Sequence, residues 1–310
     1  MTTTQVTEAE VLEMLESLSN WGRWGDDDRL GTLNLITPEV TKAAAALVKH
    51  GRAVSLARTI SPKYAPDNPS PPQHFMLASG EGAPAQGSGH AADWYGIACH
   101  GHSMTHLDSL GHLFWNGKMY NGRPASLVDQ ATGAKEGSIE DAGGGVITRG
   151  VLLDLPRALG VPYLEPGHRV TPRELESAEA MAGVQVRSGD AVLIRTGRDA
   201  VRAQRGPYLP DKDGCAGLSA SCLPWIRERG IALLGSDVAH DAIPSIYRRV
   251  GGPIHLVGIV GMGLWLLDNA YLDALAAATA EASQWEFLFA LGPLKLKRGT
   301  GSPVNPLAVI

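Results

Sequence analysis

Three short apolar runs in the second half of the chain limit its fold more than any other feature. They are Val146–Pro156 (VITRGVLLDLP), Gly189–Gly197 (GDAVLIRTG) and Gly230–Ala239 (GIALLGSDVA). Each is too short for a buried helix, is rich in Val, Leu and Ile, and is bounded by glycine or polar turn residues, which reads as a buried strand. Between them, Pro172–Met181 and Ser219–Glu228 carry helical spacing. Strands interleaved with helices predict an α/β fold built on a mixed sheet with flanking helices.

At 310 residues the chain is long for one domain and short for two. A hydrophobic content of 44% against 19% charged residues places it among soluble globular proteins. The net charge of −5 gives no basic footprint for nucleic acid or an anionic membrane surface, so neither is expected as a partner. No run of 18 apolar residues is present, and the acidic, amphipathic N-terminus does not read as a signal peptide. Cys99, Cys215 and Cys222 form neither an even framework nor a CxxC pair, which suits a reducing cytoplasm.

Val11, Leu12, Met14, Leu15 and Leu18 predict a helix over 7–19, with Thr7 and Glu10 spaced as a capping box. Thr37-Pro38-Glu39 opens a second helix reaching His50, and Ala53–Ala57 alternates like a strand. Residues 1–60 are therefore expected to be a helical extension packed on a main domain over 61–310. The proline-rich stretch 61–90 reads as a long excursion with at most a short strand at Phe75–Leu77. Leu294–Leu296 and Leu307–Ile310 read as edge strands.

The chemistry concentrates in Cys99–Tyr120. His100, His102, His106 and His112, four of the ten histidines, fall within thirteen residues, with Asp108 among them. His102, His106, Asp108 and His112 all project to one side wherever the backbone is extended. Imidazole and carboxylate suit Zn²⁺, Mn²⁺ or Fe²⁺, and two histidines with one carboxylate leave coordination positions open, as a catalytic site requires. His100 reads as a donor to a ligand or as a bystander. Trp94, Tyr95, Phe114, Trp115 and Tyr120 flank the cluster and read as an aromatic pocket wall. Asp26–Asp28 reads as a solvated face. Asp237 and His240 are candidates for pocket residues or turn formers. Cys99 lacks an orienting partner for a role as nucleophile. GxSxG, Walker A and GxGxxG motifs are absent, which leaves a serine hydrolase, a P-loop enzyme and a Rossmann oxidoreductase without support.

The run His102-Ser-Met-Thr-His106-Leu-Asp108-Ser-Leu-Gly-His112 resembles the HxGTHxDxPxH signature of the metal-dependent cyclase family, which includes bacterial kynurenine formamidases and isatin hydrolases. It matches at His102, Thr105, His106, Asp108 and His112, and departs at Met104 and Leu110, where the family has Gly and Pro. The resemblance implies a swivelling β/β/α fold, with His102, His106 and Asp108 as metal ligands and His112 as the catalytic acid/base. Members with a second ion add a His and a Glu; here His255 fits and the acid is Asp268, one methylene shorter, so one or two ions per chain remain open. It further implies a homodimer or homotetramer. The activity it implies is metal-dependent hydrolysis of a C–N amide bond (formamide, lactam or cyclic imide) in a small aromatic or cyclic substrate. The alternative is a cyclase or dehydratase acting on a polyketide-like or hydroxy-acid substrate.

Overall fold

A computed structural model of the chain describes residues 5–310. Met1–Thr4, the start of the N-terminal segment read above, lie outside the described residues. In chain order the strands used here are β1 (Ala53–Ser55), β2 (Gln73–Ala78), β3 (Ala92–Gly96), β4 (His106–Asp108), β5 (Val146–Asp154) and β6 (Ala191–Arg195). They continue with β7 (Leu233–Ser236), β8 (Trp265–Asp268), β9 (Glu286–Leu291), β10 (Gly301–Pro303) and β11 (Leu307–Val309). The helices are α1 (Glu8–Ser17), α2 (Pro38–Ala45), α3 (Pro172–Ala182), α4 (Arg198–Arg205), α5 (Cys222–Arg229) and α6 (Asp273–Ala282).

The apolar runs become neighbours in one nine-stranded sheet, ordered β1-β11-β9-β5-β6-β7-β8-β4-β10. The centre, β5-β6-β7-β8, is parallel, and every pair outside it is antiparallel. Parallel strands need crossovers: α3 links β5 to β6, α5 links β6 to β7, and a helical segment at 253–262 links β7 to β8. With helices over the sheet, β7 and β8 are buried at every position, which is why their sequences do not alternate. The expected α/β architecture with a mixed sheet and flanking helices is what the chain adopts.

Local chemistry sets the helix ends. Thr7 and Glu10 exchange the two bonds of a capping box at α1, and Thr171 and Glu174 do the same at α3. Gly183, at φ 64°, closes α3 in the left-handed conformation a β-carbon disfavours. The N-terminal segment is stitched onto the 253–265 region: Asn20 Nδ2 donates to Met262 O at 2.8 Å and Trp21 Nε1 to Val260 O at 2.7 Å. Trp265 Nε1 in turn donates to Leu30 O at 2.8 Å.

Several boundaries move from those expected. The second helix stops at Ala45 rather than His50, β1 ends at Ser55, and α5 starts at Cys222. Leu294–Leu296 forms no strand; Leu294 and Leu296 are exposed and the segment lies beyond the last β9 pairing. Phe75–Leu77 extends into a six-residue strand because β3 supplies an antiparallel partner fifteen residues on. Among the described residues no helix is long and apolar enough to cross a membrane.

Candidate metal centre

The site lies where the carboxyl ends of β7 and β8 meet β4, the position at which parallel sheets generally take up ligands. β4 runs antiparallel to β8, with His106 opposite Asp268 and Asp108 opposite Leu266. Being two residues apart, His106 and Asp108 share a face of β4, and directly opposed partners share a face of the sheet. One strand pairing thus brings His106, Asp108 and Asp268 together from segments 160 residues apart.

These three offer ligand atoms close enough to hold one ion: His106 Nε2 lies 3.5 Å from Asp108 Oδ1 and 3.9 Å from Asp268 Oδ2. His255 Nε2 lies 3.4 Å from Asp268 Oδ2 and 3.8 Å from Asp108 Oδ2. Such separations are long for hydrogen bonds, yet they are the spacing of donors that each sit ~2.0–2.2 Å from a shared cation.

The histidines are braced from behind. His106 Nδ1 donates to Met104 O at 3.0 Å, so Nε2 carries the free lone pair. His255 Nδ1 bonds to Asp241 Oδ2 at 2.7 Å, the carboxylate–imidazole arrangement usual behind a metal ligand. Asp241 also accepts the backbone N–H groups of Ile254 and His255.

His100 uses both nitrogens, Nδ1 on Asp108 Oδ1 at 2.9 Å and Nε2 on the Thr300 hydroxyl at 3.2 Å. It is a donor to Asp108 rather than a free ligand. Its position depends on Gly301, where a β-carbon would come 2.6 Å from the imidazole. His112 stacks flat on His100, with centroids 4.0 Å apart and planes 7° from parallel, and its Nε2 is 4.0 Å from Asp108 Oδ2. It is part-exposed at the cavity mouth. His102 stands apart from the close group: its Nε2 turns to the exposed Asp211 at 3.3 Å, although it lines the same cavity.

Burial alone would raise the carboxyl groups of Asp108 and Asp268. The bond from His100 with the fields of His106 and His112 outweighs it at Asp108, and His255 with His240 and His106 outweighs it at Asp268, leaving both below the ordinary range. Both are therefore held as carboxylates, the form that binds cations. Burial lowers His112, against the opposing pull of Asp108. At Cys99 burial, then the Asp108 charge, pushes the thiol up to about 11, which leaves it a poor nucleophile.

The cavity these residues line holds about 410 Å³. None of the five aromatic residues expected at its wall lines it. Trp94 and Tyr95 are exposed on the β2–β3 ribbon, and Tyr120 is buried, its hydroxyl donating to Asp28 Oδ2 at 2.9 Å. Asp28 is accordingly not part of a solvated face: it also accepts from the Gly31 N–H and the Asn34 amide. Asp237 caps α4, accepting from the Thr196, Gly197 and Arg198 backbone N–H groups. A larger cavity of about 850 Å³ touches Ser103 and Met104, but Arg58 and Arg202 on its wall are paired with Asp199 and Asp67.

Buried polar atoms without a hydrogen-bond partner include Asp268 Oδ1 and both ring nitrogens of His240. Carboxylates and imidazoles aimed at one spot, some lacking any protein partner, fit a divalent cation in both donor type and number. Sequence reasoning missed Asp241, Asn269 and Arg198. Asn269, buried at φ 55°, donates to Gly101 O and Met104 O, and accepts from Arg198, whose guanidinium also reaches His102 O. Asn269 and Arg198 hold the histidine loop through its backbone carbonyls, while Asp241 braces His255, and no residue pattern marks such contacts.

The Cyclase family model matches residues 36–241. The chain belongs to the cyclase family. A crystal structure described as a novel cyclase superposes with a TM-score of 0.85 at 31% identity, covering 96% of this chain and 99% of that one. An isatin hydrolase bound to the product analogue thioisatinate matches with a TM-score of 0.57 at 19% identity, covering 87% and 95%. Isatin hydrolase A from Labrenzia aggregata, bound to benzyl benzoate, matches with a TM-score of 0.54 at 21% identity, covering 87% and 96%. The last two share the cyclase fold. A comparison with curated proteins finds no match.

Proposed function

We propose that this cyclase-family chain is a metal-dependent hydrolase that opens the C–N bond of a formamide, lactam or cyclic imide in a small aromatic or cyclic substrate. The observation that carries the reading is the convergence of Asp108, Asp268 and the Nε2 atoms of His106 and His255 on one side of an open cavity. The isatin hydrolases that share the fold motivate the choice of a ring amide. His106, Asp108, Asp268 and His255 would hold Zn²⁺, Mn²⁺ or Fe²⁺, with His102 available from the cavity wall. The ion would supply Lewis acidity for the carbonyl oxygen and bring the ionisation of water near pH 7.

The remaining work falls to the chain. His112 accepts the proton of the attacking water and hands it to the departing nitrogen, a two-way task that a neutral imidazole performs at ordinary pH. Water oxygen adds to the carbonyl carbon, the C–N bond breaks, and the products are a carboxylate and an amine. Stacking on His100 fixes the plane of His112 for both transfers. The Asp108–His100–Thr300 chain keeps the carboxylate oriented.

The reading includes a homo-oligomer. A two-stranded ribbon is marginal in water alone, yet β2–β3 leaves Phe75, Leu77, Trp94 and Tyr95 exposed. A second copy of the chain would cover them.

The test is turnover of formamides, isatins and lactams by protein loaded with each metal in water enriched in ¹⁸O. Hydrolysis places solvent oxygen in the new carboxylate. A product free of solvent oxygen would instead support a cyclase or dehydratase.

A further inference from the structure

The cavity of about 850 Å³ carries a charge that the metal centre does not explain. It lies between the loop that follows β1 and the start of α4, and it shares no wall residue with the cavity over the histidines. Five cationic side chains line it against two carboxylates, in a chain whose net charge is −5. Both carboxylates are taken up, Asp199 by Arg58 and Asp67 by Arg202. Arg52 pairs with the exposed Glu281. Lys63 and Arg198 form no ion pair among the described residues.

Arg198 is the unusual one. It is buried, and its guanidinium bonds only to neutral oxygens, those of the Asn269 amide and of the Asp237 and His102 carbonyls. Its Nε has no partner. A buried guanidinium ordinarily meets a carboxylate, because the loss of hydration is otherwise poorly offset. Burial, then the neighbouring Arg58 charge, accordingly lowers the pKa of Arg198. A second buried wall residue, Asn68, spends its amide N–H groups on Ser61 O and Lys63 O and leaves Oδ1 without a partner. Tyr64, Tyr271, Ile60 and Met104 add aromatic and apolar surface. A space of this volume, with convergent polar groups on a partly apolar wall, is of the size that takes a small organic molecule.

We propose that this cavity is a binding site, separate from the metal centre, for a small anion with an aromatic body, with Arg198 and Lys63 as its counter-charges. The anionic group is a carboxylate or a phosphate, both of which a guanidinium matches. The inference does not depend on the hydrolase reading.

The experiment is calorimetric titration of the full-length protein with benzoate, phenyl phosphate and the neutral benzamide. The parent is compared with His106→Ala, Lys63→Glu and Arg198→Met. An anion can also bind a metal ion, so His106→Ala isolates this cavity from the metal centre. One anion per chain is expected to bind the parent and His106→Ala alike, with benzamide at least tenfold weaker. The tighter of benzoate and phenyl phosphate identifies the anionic group. Lys63 is exposed, so Lys63→Glu leaves the fold intact, and it should weaken binding at least threefold, more at low salt. Arg198→Met should weaken it at least tenfold; because Arg198 also holds the histidine loop, that variant is read only if it melts cooperatively, and Lys63→Glu decides otherwise. No binding of either anion to folded His106→Ala, benzamide binding as tightly as benzoate, or unchanged affinity in Lys63→Glu would each overturn the site.

Discussion

Asp268 faces His106 directly across the β4–β8 ladder, its Oδ2 3.9 Å from His106 Nε2. The register of one antiparallel strand pair thus sets the distance between two candidate ligands from opposite halves of the chain. A slip of one residue would turn the side chains of β4 to the other face and take His106 and Asp108 away from Asp268.

Replacing either member should remove metal rather than merely weaken chemistry. His106→Ala and Asp268→Asn are expected to lower bound Zn²⁺ or Mn²⁺ per chain by at least tenfold in occupancy at micromolar metal. Elemental analysis of protein purified without chelator or histidine tag checks this. Full occupancy in both variants would contradict the assignment.

His112 should separate from the ligands. His112→Ala is expected to keep its metal and lose roughly 10²–10⁴-fold in kcat, the range for removing a general acid/base. Steady-state kinetics beside metal analysis decides it, and a variant at full activity would remove His112 from the reaction.

Asn269 should matter to both stability and the site. Asn269→Ala strips partners from Gly101 O, Met104 O and Arg198, and places alanine at φ 55°. A loss on the order of 3 kcal/mol is expected, with weakened metal binding because His102 and His106 flank the freed carbonyls. Denaturant unfolding of the metal-free protein measures the first, and titration the second.

His168 gives a pH-dependent contribution remote from the metal ligands. Its Nε2 pairs with Glu174 Oε1 at 2.7 Å, and that bond raises His168 above its ordinary 6.5 despite burial. Folding thus binds the proton more tightly, so the pair stabilises fully below 6.5, and the contribution disappears as pH rises through the folded value. Glu174, whose burial is outweighed by His168 and the Thr171 cap, sits below its ordinary 4.5, so its share persists down to lower pH. The stability difference between the parent and His168→Ala should be larger near about pH 5.5 than near about pH 8.5. It should stay below about 1 kcal/mol, because the imidazole is one-third exposed. Equal differences at both pH values would refute it.

The exposed ribbon predicts an assembly. Leu77→Asp should shift the protein to a smaller species in light scattering after size exclusion while leaving the melting temperature of the fold within about 2 °C. A parent already monomeric at high concentration would contradict the homo-oligomer.

Three of the four parallel strands were legible because burial makes the runs of β5, β6 and β7 largely apolar, and the capping box at Thr7 announces its helix. The shared face of His106 and Asp108 was legible from their two-residue spacing, because both lie on β4; His112 lies beyond that strand, and His102, read on the same spacing, stands apart. Asp241 and Asn269 were not legible. Asn269 works through backbone carbonyls from a segment more than 160 residues away, and a carbonyl has no letter; Asp241 works on a histidine and two backbone N–H groups that only the turn after β7 brings to it. Leu294–Leu296 misled for the opposite reason: three residues of alternating pattern predict a strand only where a neighbour offers a free edge. The aromatics were near the histidines in sequence only: Trp94 and Tyr95 lie exposed on the β2–β3 ribbon, and Tyr120 is buried with its hydroxyl on Asp28.

The strand that carries His106 and Asp108 is only three residues long, and it is held between β8 and β10, both of which are synthesised more than 150 residues later. Nothing local can seat it. In a refolding experiment the helical signal and the parallel core should return first, with uptake of the ion lagging behind as the final event. Until then the chain would display four histidines on an unanchored loop, a state in which a cell poor in the right cation, or rich in the wrong one, would decide what the finished protein contains.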